Sequence, residues 1–210
     1  SLHDYNEEEI IRNYIEKIKK SPVGLISDSG SPLVSDPGYK LLRECINENI
    51  FITTVPGASS IIAALQMSGI PINNFIFIGF TPKSKKKLHD FLKTLSSEQK
   101  TAVLFVSSHK IVEALTVMSV LLPTRKVAVC KEMTKINEKK FYGFPQEVLN
   151  VILTDKKYCL GEFVVVVEGE KNIRNVDKKN INSDTEKVIK KLLEKFTLTD
   201  TVEIVHKIGN

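Results

Sequence analysis

Segments with helical apolar spacing alternate with short apolar runs along the first 80 residues, and this alternation constrains the fold more than any other feature. Three short runs of apolar and β-branched residues, bounded by turn residues, predict strands over residues 23–26, 50–55 and 75–78. Apolar residues that return every three or four positions predict helices over residues 6–20, 39–49 and 58–68. Such an order is typical of an α/β fold, in which helices cover a mostly parallel sheet.

A second unit of the same kind follows the basic stretch TPKSKKK at residues 81–87, which predicts a linker or loop. Its helices are predicted over residues 88–95 and 109–122, with a third helix that begins at Pro145. Its strands are predicted over residues 102–106, 126–130 and 163–167, with a hairpin near residues 137–142. We therefore predict two α/β domains, over residues 1–80 and 81–170. The polar stretch 171–183 predicts a linker, and residues 185–196 and 199–208 predict two short helices that make up a partial helical segment over 171–210.

Composition excludes several classes of protein. Hydrophobic residues make up 42% and charged residues 26% of the chain, as in an ordinary globular protein. No apolar run approaches the ~20 residues that a membrane-spanning helix needs. The three cysteines are an odd number without C-x-x-C spacing, which favours free thiols in a reducing cytoplasm over a disulfide framework or a zinc site. The net charge of +5 permits a polyanionic partner without requiring one.

The loop at residues 27–38, SDSGSPLVSDPG, is the first candidate for a binding site. It follows a predicted strand and leads into a helix, and ligands of open α/β sheets collect at the carboxyl ends of strands. The Asp28 carboxylate could accept hydrogen bonds from a ribose or an amine, while Gly30 and Gly38 allow a ligand close to the backbone. The alternative is that Asp, Ser, Pro and Gly are simply the residues that form turns.

The segment VPGASS at residues 55–60 repeats the order of strand, sharp turn and helix start. Ser59 and Ser60 are suited to capping the helix, and the same helix start offers free N–H groups to a ligand. Neither a dinucleotide-binding G-x-G-x-x-G nor a phosphate-binding G-x-x-x-x-G-K-[ST] occurs in the chain.

Six segments in this order resemble the tetrapyrrole methylase superfamily, and within it the branch that modifies ribosomal RNA. They are SDSGSPLVSDPGY, VPGASSIIAAL-x-x-SG, GFTPKSKKK, SSHK, KEMTK-x-x-E and GEFVVVVEG, and the likeness covers nearly all of residues 1–170. The resemblance implies two α/β domains, a homodimer, and S-adenosylmethionine bound in the cleft between the domains. It also implies methylation of the 2′-hydroxyl of a cytidine in the decoding region of 16S rRNA.

The same resemblance implies which positions hold the cofactor. In the first domain these are Asp28, Ser31, Leu33, Ser59 and Ser60. In the second domain they are the strand end at Val106 and the backbone at Phe163 and Val164. No metal is required, because the sulfonium of the cofactor is already activated and the transfer is largely a matter of alignment.

The sequence departs from the family in two places. The family begins with a strand and a glycine-rich turn, and nothing upstream of His3 matches them. We therefore expect the first domain to be incomplete and the chain alone to transfer little or no methyl. The family usually has Tyr-Glu-Ser-x-His-Arg where this chain has FVSSHK at residues 105–110, so the catalytic base stays unassigned. His109 is interpreted as structural, following Ser107 and Ser108, which are predicted to cap the next helix; the alternative is that it acts as a base or an RNA contact.

Basic residues supply the candidate RNA contacts. Lys83, Lys85, Lys86 and Lys87 would meet phosphates in an RNA enzyme, and are otherwise a solvated loop. Lys131 and Glu132 match an Arg-Glu pair of the family, which could form an ion pair that orders the site or take a direct part in the chemistry; Lys131 is also a candidate RNA contact. Two other functions stay open: a corrin or porphyrin methylase, and a non-catalytic RNA-binding remnant.

Overall fold

The computed structural model describes residues 7–171 and 183–208, in which helices and strands follow one another largely as the apolar spacing predicts. The helices before residue 171 are α1 (Glu7–Ile18), α2 (Tyr39–Asn47), α3 (Ser60–Ser68), α4 (Lys85–Thr94), α5 (Ile111–Leu121) and α6 (Pro145–Ile152). The strands are β1 (Phe75–Phe80), β2 (Thr101–Ser107), β3 (Val127–Lys131), β4 (Lys139–Gly143) and β5 (Glu162–Val167). Two more helices follow, α7 (Ser183–Leu193) and α8 (Leu198–Ile208).

The five strands form one mixed sheet in the order β1-β2-β5-β3-β4. β1 and β2 are parallel, whereas β5 is antiparallel to both of its neighbours, β2 and β3. β3 and β4 form the predicted hairpin. The last strand in sequence therefore lies at the centre of the sheet, buried on both faces, which accounts for the unbroken run Phe163-Val-Val-Val-Val167.

Alternation along β5 divides the core into two layers. Phe163, Val165 and Val167 face α4, α5 and α6, while Val164 and Val166 face α3. The helix α6 begins as predicted: Pro145 occupies its first position, where no N–H is needed, and the Glu147 carboxylate accepts a hydrogen bond of 2.8 Å from the Phe144 N–H. A separate small cluster of Ile15, Leu41 and Cys45 joins α1 to α2.

The described chain separates into two compact units, one ending at Glu170 and one beginning at Lys171. The further division near residue 80 stays a prediction, although β1, which precedes it, pairs with β2, which follows it. Most of the predicted linker, residues 172–182, lies outside the described residues. No helix in the described part of the chain is both long and apolar enough to span a bilayer.

Two predicted strands do not form. Residues 23–26 and 50–55 have no regular secondary structure, because a strand needs a hydrogen-bonded neighbour and neither segment has one among the described residues. Most of their apolar side chains consequently face solvent, with Ile26 89% exposed, Phe51 87% and Val55 88%, whereas Ile50 packs partly against the cluster of α1 and α2. The prediction from local composition was wrong here, since composition does not report whether a partner is present.

The predicted linker at residues 81–87 is also partly helical. α4 begins at Lys85, and Ser84 is its N-cap, with its hydroxyl accepting a hydrogen bond of 3.4 Å from the Lys87 N–H. Three of the lysines therefore lie in the first turn of a helix rather than in a loop.

One buried arginine holds together the edge of the sheet where β3 begins and β5 ends. The Arg125 guanidinium donates hydrogen bonds to the carbonyls of Leu95, Glu98 and Glu168, and burial lowers its pKa although Glu170 and Glu168 oppose that shift. Beside it, the Glu170 N–H donates to the Glu98 carbonyl at 2.6 Å. This clasp requires Gly169, since a Cβ at that position would lie inside 3.0 Å of the Gln99 backbone.

We predict that Gly169→Ala destabilises the protein by at least about 2 kcal/mol, because the obstruction is backbone that cannot rotate away. Gly24→Ala is the matched control: no atom lies within 4 Å of the added methyl group. Urea denaturation followed by circular dichroism measures both variants. Equal unfolding midpoints for the two would show that the clasp does not stabilise the fold.

Candidate functional site

Two loops predicted to bind a ligand lie against each other. The Ser31 hydroxyl in residues 27–38 donates a hydrogen bond of 3.1 Å to the Ala58 carbonyl in residues 56–60. Gly30 is also close to this carbonyl, because a Cβ atom added to Gly30 would lie 4.0 Å from the carbonyl oxygen of Ala58. We call these two segments, residues 27–38 and 56–60, the loop pair.

The first loop of the pair is ordered from within and its backbone is strained. The Ser27 hydroxyl donates to the Asp36 carboxylate at 2.6 Å. Leu33 and Ser35 have positive φ angles of 73° and 65°, a conformation that costs energy for residues with a Cβ. Strain of this kind collects at ligand-binding loops, which favours the functional interpretation of this loop over an ordinary turn.

The second loop leads into an uncapped helix. Ser59 is the N-cap residue of α3 with extended backbone angles, yet its side chain makes no capping hydrogen bond. Structural capping by Ser59 is therefore absent, and the first N–H groups of α3 stay available to a ligand. Ser60 lies in the first turn of α3, and both Ser60 and the Asp28 carboxylate are exposed to solvent.

These groups fit the chemistry of a nucleoside-type cofactor. An exposed carboxylate at Asp28 can accept from ribose hydroxyls, and the start of α3 can donate to a carboxylate. The exposed side chains of Ile26 and Val55, each just before one loop of the pair, offer apolar surface beside the polar groups.

The remaining predicted cofactor positions lie on the sheet. Val106 on β2 is opposite Phe163 on β5, and both side chains are buried against α4, α5 and α6. Val164 points to the other face, towards α3. The side chains of these three residues are therefore closed to a ligand, and their backbones lie within the paired part of the sheet, so that their roles as cofactor contacts stay predictions.

A second group of loops gathers at one edge of the sheet. The carboxyl ends of β1, β2 and β3 meet the amino end of β5 there, and we call this the carboxyl edge. Two backbone hydrogen bonds of 2.9 Å join neighbouring segments there, from the Thr81 N–H to the Phe105 carbonyl and from the Glu132 N–H to the Glu162 carbonyl. A third, from the Lys110 N–H to the Ser107 carbonyl, closes the turn after β2.

Glu132 organises this edge between β3 and β5. Its carboxylate accepts hydrogen bonds from the Glu162 N–H at 2.8 Å and from the Lys135 ammonium at 3.2 Å, and these hold the pKa of the Glu132 carboxyl below its ordinary value. Gly161 leaves the room for it, since a Cβ there would lie 2.6 Å from the Glu132 side chain. Glu132 thus orders the carboxyl edge through its hydrogen bonds to the Glu162 backbone and to Lys135.

Lys131 has a structural environment. Its side chain is 5% exposed, and its ammonium donates to the Asn137 carbonyl at 3.4 Å. This burial argues against an RNA contact through Lys131. The expected ion pair between Lys131 and Glu132 is not formed, since Glu132 pairs with Lys135 instead.

The SSHK segment also differs from its prediction. Ser107 ends β2, Ser108 and His109 lie in a turn, and the N-cap of α5 is Lys110, so neither serine caps the helix. The Lys110 ammonium pairs instead with Glu113 one turn later, at 2.5 Å. His109 is exposed in that turn.

The lysines at residues 83–87 give the carboxyl edge its positive charge. All four side chains are exposed to solvent: Lys83, Lys85, Lys86 and Lys87. Within the part of the chain that the structure describes, none of them forms an ion pair. The last three occupy the first turn of α4, which contains no acidic residue. Cations there oppose the helix dipole, by typically about 0.3–1 kcal/mol each, and a bound anion would offset that cost. We call residues 81–87 the lysine turn.

Phe80, which immediately precedes the lysine turn, was not predicted as a site residue, yet it is 62% exposed at the end of β1. The sequence signal that could have found it is Gly79, because a glycine within a strand pattern often marks a bulge.

Comparisons with known proteins agree with this architecture. Residues 1–149 match the family of tetrapyrrole (corrin/porphyrin) methylases. The solved structure of diphthine synthase superposes with a TM-score of 0.55 over 80% of this chain and 68% of that one, at 15% identity, which shows a shared fold. The methyltransferase CobJ superposes with a TM-score of 0.54 over 78% of this chain and 71% of that one, at 16% identity.

Two relatives of higher identity are each named ribosomal RNA small subunit methyltransferase I. That of Haemophilus influenzae is 35% identical over 98% of this chain and 72% of its own length. That of Xylella fastidiosa is 37% identical over 80% of this chain, and the chain spans 63% of its length. By its sequence and its fold, the chain belongs to the tetrapyrrole methylases, a family of methyltransferases.

Proposed function

We propose that the protein transfers a methyl group from S-adenosylmethionine to the 2′-hydroxyl of a cytidine in the decoding region of 16S rRNA. The observation that carries this proposal is the likeness to ribosomal RNA small subunit methyltransferase I, which extends over 98% of the chain in the Haemophilus influenzae relative. The site geometry supports it from two sides, through the loop pair and through the lysine turn.

The loop pair is the proposed cofactor site. Asp28 would accept from the ribose, and the uncapped start of α3 at Ser59 and Ser60 would donate to the carboxylate of the methionine part. Ser31 fixes the two loops at one separation through Ala58, and the strained turn at Leu33 presents backbone groups to the ligand. The bound cofactor supplies an electrophilic methyl group on a cationic sulfur.

The remaining work of such a site is alignment. The loop pair would hold the cofactor in place relative to the ribose hydroxyl, and holding two reactants in a reactive geometry can lower a barrier by several kcal/mol. Rigid elements achieve this better than mobile ones, and the carboxyl edge is held by the hydrogen bonds of Glu132 and by the central strand β5.

The lysine turn is the proposed phosphate contact. Four exposed ammonium groups within five residues would bind the RNA backbone without reading its sequence. Lys85, Lys86 and Lys87 lie in the first turn of α4, so the N–H groups of the helix start that Ser84 does not bind add to the same anion site.

For the function as a whole, we expect the protein made from the complete reading frame to incorporate tritiated methyl groups into 16S rRNA of the small ribosomal subunit.

Asp28→Asn should lower cofactor affinity about tenfold or more, since a hydrogen bond to a charged group contributes about 1.5–3 kcal/mol. Glu16→Gln, an exposed acidic residue of α1, is the matched control and should leave the affinity unchanged.

Three outcomes would replace the proposal. Methylation of a tetrapyrrole without methylation of rRNA would assign the protein to the corrin and porphyrin enzymes. RNA binding without affinity for S-adenosylmethionine would identify a non-catalytic remnant. Equal cofactor affinities for Asp28→Asn and Glu16→Gln would move the cofactor away from the loop pair.

For the lysine turn, replacing Lys85, Lys86 and Lys87 by alanine should weaken RNA binding because fewer counterions are released. The slope of log affinity against log salt should become shallower by about 0.7 per contact on single-stranded RNA, or about 2 for three lysines. Unfolding free energy should change by less than about 0.5 kcal/mol, as is usual for surface positions. Fluorescence anisotropy at four or five salt concentrations gives the slope.

The control variant replaces Lys93 and Lys100, exposed lysines at the far end of α4 and before β2. It should retain the full slope. An unchanged slope in the triple variant would assign the lysine turn to ordinary solvated surface. So would a control variant whose slope falls, for each lysine replaced, by as much as that of the triple variant.

A further inference from the structure

A bulge in β1 changes the direction of Phe80. Phe77 pairs with Val103, but the next pairs are Gly79 with Leu104 and Phe80 with Phe105, so that Ile78 is an extra residue. Gly79 has a φ of 82°, which favours glycine, and a bulge between parallel strands is rare. Without the bulge, strict alternation would place Phe80 on the face of Ile76 and Ile78, towards α4, α5 and α6.

The bulge instead places Phe80 against two other aromatic rings. Its ring centroid lies 5.1 Å from that of Phe105, with the planes at 63°. Phe105 meets Phe77 in the same way, at 4.9 Å and 63°. Phe77 and Phe105 are half-buried beside α3, whereas Phe80 is mostly exposed. Edge-to-face contact of this kind holds a ring in one orientation, so Phe80 is an exposed aromatic ring on a rigid support.

The supported ring stands directly before the lysine turn. The Thr81 N–H donates to the Phe105 carbonyl at 2.9 Å, and Ser84 caps α4 three residues later. The path from Phe80 to the lysines is therefore anchored at both ends. An aromatic ring beside a cluster of exposed cations is the combination by which proteins bind single-stranded nucleic acid: the cations hold phosphates while a base stacks on the ring.

We infer that Phe80 stacks against an unpaired base of the RNA substrate while the lysine turn binds the adjoining phosphates. This inference rests on the proposed function for its partner, RNA, and it adds a requirement for single-stranded RNA beside the lysine turn. A base in a duplex has both faces covered by its neighbours, so stacking on Phe80 selects nucleotides that are out of the helix.

The first test compares RNA binding by Phe80 variants of the 210-residue chain. Phe80→Leu keeps an apolar side chain without a ring, and it should bind a single-stranded oligoribonucleotide about tenfold more weakly at an unchanged salt slope. Its affinity for an RNA duplex of the same length should equal that of the unaltered protein. Val120→Ala is the control, since Val120 is an exposed apolar residue on α5, and it should bind both RNAs normally.

The second test uses fluorescence, because the chain contains no tryptophan. Phe80→Trp introduces a single indole, should retain the affinity for single-stranded RNA, and should be quenched as that RNA binds. Polyphosphate has charge but no bases, so it should bind to the lysine turn without quenching the indole.

The inference is overturned if Phe80→Leu binds single-stranded RNA as tightly as the unaltered protein, or if single-stranded and duplex RNA are weakened alike. Equal quenching by RNA and polyphosphate would also overturn it. Unchanged RNA binding with an altered molecular mass of Phe80→Leu in solution would assign the ring to contact between protein chains. If rRNA methylation is absent but the stacking results hold, the proposed function fails and Phe80 remains a base-binding residue.

Discussion

The pairing of β5 with both β2 and β3 is the interaction on which the rest of the structure depends. Because β5 runs antiparallel to its two neighbours, its amino end meets their carboxyl ends, and the loops of the carboxyl edge are brought together by that single insertion. The strand is held at both ends. Glu132 binds the N–H of Glu162 at the start, and Arg125 binds the carbonyl of Glu168 at the finish. Both interactions join segments distant in sequence. Each lies beside a glycine without which atoms would clash: Gly161 leaves room for the Glu132 side chain, and Gly169 for the Gln99 backbone.

This rigid sheet supports two surfaces with different chemistry. The loop pair combines a carboxylate, free N–H groups and apolar residues, which suits a small nucleoside-type ligand. The lysine turn and Phe80 combine cations with an aromatic ring, which suits a nucleic acid. Non-glycine residues with positive φ are found in the loop pair, at Leu33 and Ser35, and again in the loop after β3, at Glu132 and Thr134. Asn49, after α2, has a positive φ as well, so four of the five such residues in the described chain lie in the loop pair or in the loop that contains Glu132.

Local patterns in the sequence predict most of the elements but not their environment. The strand Phe163–Val167 and the helix beginning at Pro145 could be predicted because apolar periodicity and a proline at the first helical position act locally. The strands predicted at residues 23–26 and 50–55 fail because pairing depends on a partner segment. The burial of Lys131 and the direction of Phe80 depend on register, which residue composition does not contain. The site positions taken from the resemblance remain predictions, although the contact between Ser31 and Ala58 brings two of their loops together.

The proposed cofactor site requires both loops of the loop pair to contact the same ligand. The most direct measurement is hydrogen–deuterium exchange of the complete protein with and without S-adenosylhomocysteine, the product form of the cofactor. Bound cofactor should slow exchange in peptides covering residues 27–38 and 56–60 together, and should leave exchange in the lysine turn unchanged. Saturation with the cofactor while both loops of the pair exchange at their original rates would contradict it.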